Sequence, residues 1–417
     1  MSSGTMHIVG AGLAGLSAGV ELTRLGKRVV VHELARHAGG RCRSFFEPAL
    51  GLTIDNGNHL VLSGNASALA FLDVIGGRDV LEIADHAEFT FHDAQSGECW
   101  VLRPNDGPVP WWVFSERRRV PGTHAVDYLR LGNLLRAGPS DTVTQTIDGS
   151  SEVYRKLLYP VLLAALNCDP KEGSARLSGA VVRETLAKGG RACRPLFAPK
   201  GLGPALVDPA VAFIRKNGGE VRFDEAVRAF EFGDNRVQAI QFADTTLSLA
   251  PDDQVIAAVP GWVARTLVPG LTVPTDYRAI FNLHFKIAPP AGLPKIIGVV
   301  NGTTEWLFAF DDRLSVTVSA ADRFNETERE PLARQIWSEV AKIAGLNAPL
   351  PPWQIVKERR ATFAATPEQD ALRPVTETRW SNMLLAGDWT ATGLPATIEG
   401  AIRSGAKAAK LAMARGF

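Results

Sequence analysis

The stretch from Met6 to Glu33, MHIVGAGLAGLSAGVELTRLGKRVVVHE, limits what this chain can fold into more than any other. An apolar strand runs into Gly10, Gly12 and Gly15 in the spacing G-x-G-x-x-G. Leu13, Leu16, Val20, Leu22 and Leu25 then recur at helical spacing, and Gly26 ends the helix as a C-terminal cap. A second apolar strand closes at Glu33, so the unit reads strand, helix, strand and belongs in a parallel sheet. The first glycine permits the tight turn, the second lets the backbone approach a pyrophosphate, and the third lets the helix pack on the sheet. Ala11, Leu13 and Ala14 complete the turn and the helix start, whose free N–H groups and partial positive charge suit an anion. Glu33, with Leu34 beside it, lies about 20 residues on, where a carboxylate accepts from a ribose 2′-OH. A 2′-phosphate would be repelled there, which disfavours NADP as the resident nucleotide.

The rest of the chain has to complete that sheet. With 417 residues it exceeds the roughly 250–300 at which one core stops growing, so two domains are expected. Basic and acidic residues number 45 and 44, a net charge of +1 that provides no field for nucleic acid. Cys42, Cys99, Cys168 and Cys193 are scattered with no metal-binding spacing, which predicts no metal site and reduced thiols in a cytoplasmic protein. No segment approaches the ~20 unbroken apolar residues of a membrane-spanning helix.

Beyond Ala66 the pattern changes to helices and irregular turns as far as Arg194. Strand signals return in EVRFDE, in AVRAFEFGDNRVQAIQFAD with a hairpin at Gly233–Asn235, and in DDQVIAAVP. A third strand-rich stretch, from YRAIFNLHFKI to RLSVTVSA, precedes a helix over Glu328–Ala344. The chain finishes as strand NMLLAGD, a Gly/Pro loop and helix TIEGAIRSGAKAAKLAMARG.

Six residues past Glu33 stands GGRCRS, where Gly39 and Gly40 let the backbone pass close to a cofactor and Arg41 can reach its diphosphate. With this succession the chain resembles the FAD-binding amine oxidase and phytoene desaturase superfamily. The resemblance implies an α/β, Rossmann-like FAD-binding domain assembled from residues 1–65, 200–262 and 375–417, with an α+β substrate domain from 66–199 and 263–374 that carries a helical insertion. It extends to LLAGDWTATGLPATIEGAIRSG, similar to the superfamily's second flavin-binding element. Gly387 and Asp388 match its Gly-Asp pair at the ribityl and phosphate region. Ile398, Glu399, Gly400 and Ala401 match the helix start that faces the flavin pyrimidine, where a helix N-terminus stabilises the anionic reduced ring. Both chain termini must then meet around one FAD. The resemblance also assigns Val227 to the adenine, although a plain hairpin residue fits as well. The polar run IDNGNHLVLSG would cross the flavin ring, with Asp55 bracing the loop, Gly57 permitting close approach, and Asn58 and His59 facing the reacting atoms.

IDNGNHLVLSGN, PWWVFSERRRVPGT and YPVLLAALNCDPKEGSARL further resemble one branch, the squalene-associated desaturases that act as hydroxysqualene dehydroxylases in squalene and hopanoid synthesis. That branch implies an apolar isoprenoid substrate, hydroxysqualene, with squalene-synthase-like enzymes as neighbours in the pathway. Trp111 to Phe114 beside Arg117 to Arg119 suit peripheral contact with the inner face of the cytoplasmic membrane. An aromatic core patch next to a solvated basic run fits them equally. Replacing an allylic hydroxyl by hydrogen needs an acid for the leaving oxygen and a hydride from flavin N5. His59 is the first candidate for the acid, because imidazolium titrates near neutrality; Glu399 is the second, and Asn58 stands beside them. Two other readings stay open, an oxidative polyene desaturase or amine oxidase, and a prenyl-binding carrier without redox chemistry.

Overall fold

A computed structural model describes residues 4–415, and its centre is a five-stranded parallel sheet. Strand β1 (Thr5–Val9) pairs with β2 (Arg28–His32) on one side and β11 (Gln254–Ala257) on the other. Strand β7 (Glu220–Arg222) extends the sheet beyond β2, and β17 (Met383–Leu385) extends it beyond β11. Met6, Ile8, Val29, Val31 and Ile256 are buried, as expected of parallel strands covered on both faces.

Helix α1 (Leu13–Arg24) crosses from β1 to β2 and buries Leu16, Val20 and Leu22. It packs on the last helix, α7 (Ile398–Ala414), at small residues. A Cβ on Gly405 would lie 2.1 Å from the Ala14 carbonyl oxygen, and Ser17 Oγ donates to the Ile402 carbonyl at 2.9 Å. The two ends of the chain therefore share one core, as the family resemblance implies. Thr397 caps α7 through a 3.0 Å bond from the Gly400 N–H; the predicted final residue of this helix, Gly416, lies outside the described residues. The hairpin around Gly233–Asn235 forms between β8 (Ala229–Phe232) and β9 (Val237–Gln241).

A second, seven-stranded sheet stands against the first. Its strands run in the order β16 (Trp353–Phe363), β12 (Tyr277–Phe285), β15 (Arg313–Val318), β14 (Trp306–Phe310), β13 (Ile296–Val300), β5 (Phe89–Asp93) and β6 (Cys99–Leu102). Helix α6 (Arg329–Ile343) covers one face through Leu332, Ile336 and Val340. The region 66–199 is less helical than its pattern predicts. Its short runs FTFHD and CWVL extend this sheet, β5 pairing parallel with β13. Helix α2 (Ala66–Ile75), expected with the substrate domain, instead buries Ala68, Phe71, Leu72 and Ile75 in the core of the parallel sheet, because Glu399 of α7 holds its N-terminus.

Candidate active site

A cavity of about 980 Å³ lies between the two sheets. Its wall at the carboxyl ends of the parallel strands is made by Val9, Gly10, His32 and Ala258, the place where open α/β sheets bind ligands. Gly10 takes φ +103°, and a Cβ there would meet the Ala258 carbonyl at 2.7 Å. At Gly15 a Cβ would stand 1.9 Å from the Gly10 carbonyl oxygen. Gly12 differs, because a Cβ would meet nothing within 4 Å where this side of the turn opens into the cavity. Gly12, Leu13 and Ala14 border that space, whereas Ala11 and Gly15 sit behind it as turn and packing residues. Glu33 reaches the turn, accepting from the Ala11 N–H at 2.7 Å and the Ala35 N–H at 2.9 Å, and Leu34 borders the cavity beside it.

The GGR loop lies directly on this turn. Gly39, at φ +106°, donates its N–H to the Ala11 carbonyl at 2.8 Å, and a Cβ on Gly40 would come within 3.6 Å of Gly12 Cα. Arg41 does not hold its guanidinium free for a diphosphate. It donates to Asp388 Oδ1 at 2.8 Å and to the Ala361 carbonyl at 2.5 Å, since Asp388 is the nearest opposite charge. Asp388 and Gly387 border the cavity, with Gly387 at φ +152° donating its N–H to Ser404 Oγ at 2.8 Å. Val227 borders the cavity beside Glu225 and Ala226.

At the α7 start, Ile398, Glu399 and Ala401 face the cavity, but Gly400, whose N–H donates to the Thr397 cap, does not. Glu399 is not placed as an acid. Its two oxygens accept from the Ser67 and Ala68 N–H groups at 3.0 and 2.9 Å and from Arg403 at 2.9 Å. The carboxyl is an acceptor that fastens α2 to α7, and nothing in that arrangement offers a proton to a substrate.

The polar run beginning at Asp55 forms the opposite side. Asp55 Oδ1 accepts from Ser44 Oγ at 2.5 Å and the Leu202 N–H at 3.0 Å, which is the bracing role expected of it. Burial pushes its carboxyl above the usual range against these bonds. Asn58 is fastened to the seven-stranded sheet. Its N–H donates to Asn282 Oδ1 at 3.1 Å, which also accepts from Thr317 Oγ1 at 2.9 Å. Asn282 returns a bond to the Asn56 carbonyl at 3.4 Å, and Gly57 lies between, close to both the His59 ring and Asn282. His59 has its ring open to the cavity, and the surrounding protein holds the imidazole below its ordinary value. Burial is the main cause, and the Arg41 charge reinforces it against a hydrogen bond to the Arg41 carbonyl. The protonated form that an imidazolium acid would use is therefore disfavoured in these surroundings.

Three residues that sequence reasoning passed over shape this site. Asn282 and Thr317 anchor the polar run, and Arg373, fully buried, anchors the flavin-side loop. Arg373 donates to the carbonyls of Asp388 and Thr390 at 3.0 and 2.9 Å, to Thr392 Oγ1 at 2.7 Å and to Asp370 at 2.9 Å. A polar residue inside the apolar strand YRAIFNLHFKI is the one signal that could have found Asn282.

Past these polar groups the cavity becomes apolar, walled by Phe91, Leu102, Leu158, Leu162, Trp306 and Phe308. Its volume stands at the upper end of the roughly 300–1,000 Å³ of small-molecule sites. The open side of Gly12, the carboxylate of Glu33 and the α7 start at the cavity wall fit a dinucleotide whose ring would adjoin the apolar chamber.

A parallel sheet with a dinucleotide turn at its carboxyl edge, opening onto an apolar chamber, defines a nucleotide-dependent oxidoreductase. Residues 13–413 match the flavin containing amine oxidoreductase family, so the chain belongs to that family and is an oxidoreductase with FAD as its cofactor. Hydroxysqualene dehydroxylase from Rhodopseudomonas palustris is 53% identical over 415 residues, covering 99% of each chain. The enzyme of the same name from Sinorhizobium fredii is 51% identical over 408 residues, covering 98% of each. Among solved structures, an oxidoreductase from Methanosarcina mazei superposes with a TM-score of 0.72 at 16% identity, over 97% of this chain and 100% of that one; this likeness concerns the fold.

Proposed function

We propose that this chain reductively removes the hydroxyl of hydroxysqualene to yield squalene. The observation that carries the reading is the continuity of one cavity from the dinucleotide turn at Gly10–Ala14 into a chamber of aromatic and aliphatic side chains. The identity to the two dehydroxylases supports it. Gly12, Glu33, Val227, Gly387, Asp388 and the α7 start would hold FAD, which supplies a hydride when bound and reduced. Leu158, Leu162 and Phe308 enclose the isoprenoid chain and exclude water, so that a proton given to the leaving oxygen is not lost to solvent. Asn58, fixed through Asn282 and Thr317, presents a polar edge to the substrate hydroxyl at the border of the apolar chamber.

The amine oxidase alternative fits less well, since a lysine is usual at the flavin of those enzymes and the described residues lining this cavity include none. Anaerobic mixing of photoreduced enzyme with hydroxysqualene tests the reading: the flavin reoxidises and squalene appears. Absence of reoxidation together with turnover of phytoene would reverse the choice in favour of a polyene desaturase.

The substrate's insolubility calls for delivery from a bilayer. Trp111 and Phe114 project from a turn with relative exposures of 66% and 67%, Leu129 stands nearby at 74%, and Trp112 is buried against Tyr128. The basic run Arg117–Arg119 comes next in the chain, and Arg118 accepts through its carbonyl from the N–H of Arg103, next to the cavity residue Leu102. An anionic bilayer surface matches this pairing of aromatic tips with cations, beside a strand that reaches the chamber.

A further inference from the structure

The cavity is bordered, among the described residues, by the carboxyl groups of Glu33, Glu184, Glu225, Glu358, Asp388 and Glu399. All but one are committed. Glu33 accepts from two backbone N–H groups, Glu184 pairs with Lys188 and Arg403, Glu225 with His32 and Arg222, and Asp388 with Arg41. Glu399 holds α2 and Arg403. Among the described residues Glu358 accepts only from Asn56 Nδ2, at 3.2 Å, and forms no ion pair; the Arg41 guanidinium in its neighbourhood is already paired to Asp388.

The register of the sheet places it as well. Glu358 on β16 is paired with Ile280 on β12, and cross-strand partners share a face. Both border the cavity, with Asn282 two residues further along the same face of β12. Asn56, the donor to Glu358, also donates to the Arg41 carbonyl at 3.5 Å, beside the His59 ring, and keeps its own Oδ1 buried without a donor. Glu358 thus rises from the sheet floor beneath the polar run, the place a proton donor would occupy if that run crosses the cofactor.

We propose that Glu358 is the catalytic acid of the dehydroxylation, an assignment that rests on the reductive reading above. The Glu358 carboxyl gives its proton to the substrate hydroxyl as the allylic C–O bond breaks, the electron pair going to oxygen, which leaves as water. The carbon accepts the hydride supplied by reduced FAD, so the substrate is reduced by two electrons and the flavin is oxidised. The Glu358 carboxylate takes up a proton from solvent before the next turnover.

The test uses purified holoenzyme, photoreduced without oxygen and mixed with hydroxysqualene. Wild-type enzyme must reoxidise and form squalene. Failure of the wild type sinks the reductive reading itself, whereas failure of the Glu358 assignment alone shows as a variant that reacts like the wild type. The Glu358→Gln variant is expected to keep wild-type FAD content. It should also bind hydroxysqualene in its oxidised form within about threefold of wild type, read from the perturbed flavin absorbance, while reoxidising roughly 100-fold or more slowly. Glu358→Asp is expected to recover a measurable part of that rate. Reoxidation of Glu358→Gln within about threefold of wild type overturns the assignment. Loss of FAD, or loss of substrate binding in place of rate, overturns it too, since the residue would then be a ligand and not the acid.

Discussion

Gly12 and Gly15 are both read from one motif, yet the structure gives them opposite physical duties. Gly15 lets α1 lie against the Gly10 carbonyl, where a Cβ would intrude to 1.9 Å. Gly15→Ala is expected to destabilise the fold by about 3 kcal/mol, read from urea unfolding. Gly12, at φ −71° with open space before it, tolerates a methyl group in the fold. Gly12→Ala is expected to unfold within about 1 kcal/mol of wild type but to weaken FAD binding roughly 100-fold in a fluorescence titration of apoprotein. Equal effects on both measurements would contradict this division. His7 carries a pH dependence of a different origin. Burial pushes it down to about 4, and the neighbouring His32 adds to the shift against Asp253. The folded protein therefore refuses a proton that the unfolded chain accepts near pH 6.5. Stability from this site is complete above that pH and falls by up to about 3 kcal/mol as pH drops towards 4. Urea midpoints at pH 7 and pH 5 should lie closer together for His7→Asn than for wild type; an unchanged gap would remove His7 as the cause.

Among the elements, the α7 start shows how a helix can be legible while its side chains are not. Thr397 with Glu399 and Gly400 after it announces an N-terminus, and the helix begins there. The orientation of Glu399 depended on α2, more than 300 residues earlier in the chain, whose first N–H groups lie across from it. That partner is invisible to periodicity or spacing. Glu399→Gln is expected to lower stability by about 2 kcal/mol through the loss of charge-assisted bonds, yet to reoxidise with hydroxysqualene within about threefold of wild type per bound FAD. A 100-fold loss of rate with unchanged stability would restore Glu399 as an acid. Strands β5 and β6 teach the same lesson. FTFHD and CWVL are short, and they become strands because β13 offers an edge to β5, which in turn offers its other edge to β6.

The whole molecule combines an apolar chamber with an outer turn of exposed aromatic tips. Among the described residues no helix is long and apolar enough to cross a membrane. Binding to vesicles containing phosphatidylglycerol is therefore expected to depend on the exposed turn. Trp111→Glu combined with Phe114→Glu should weaken cosedimentation about tenfold while leaving FAD content unchanged, and retention of full binding would refute the membrane surface. Sequence patterns alone determined the parallel sheet and the dinucleotide turn, because each rests on a local signal: glycines where backbone must approach, apolar residues at the period of a helix or strand, an acid at a strand end; the meeting of the two termini came from the family resemblance of the last segment. Tertiary structure alone decided which carboxyl groups bordering the cavity are committed to cations and backbone donors and which one, Glu358, is held only by Asn56 among the described residues. The partners that fix Glu399 on α2, Asp388 on Arg41 and Glu358 under Asn56 come from segments far apart in the chain, and such a contact leaves no spacing behind in the order of residues.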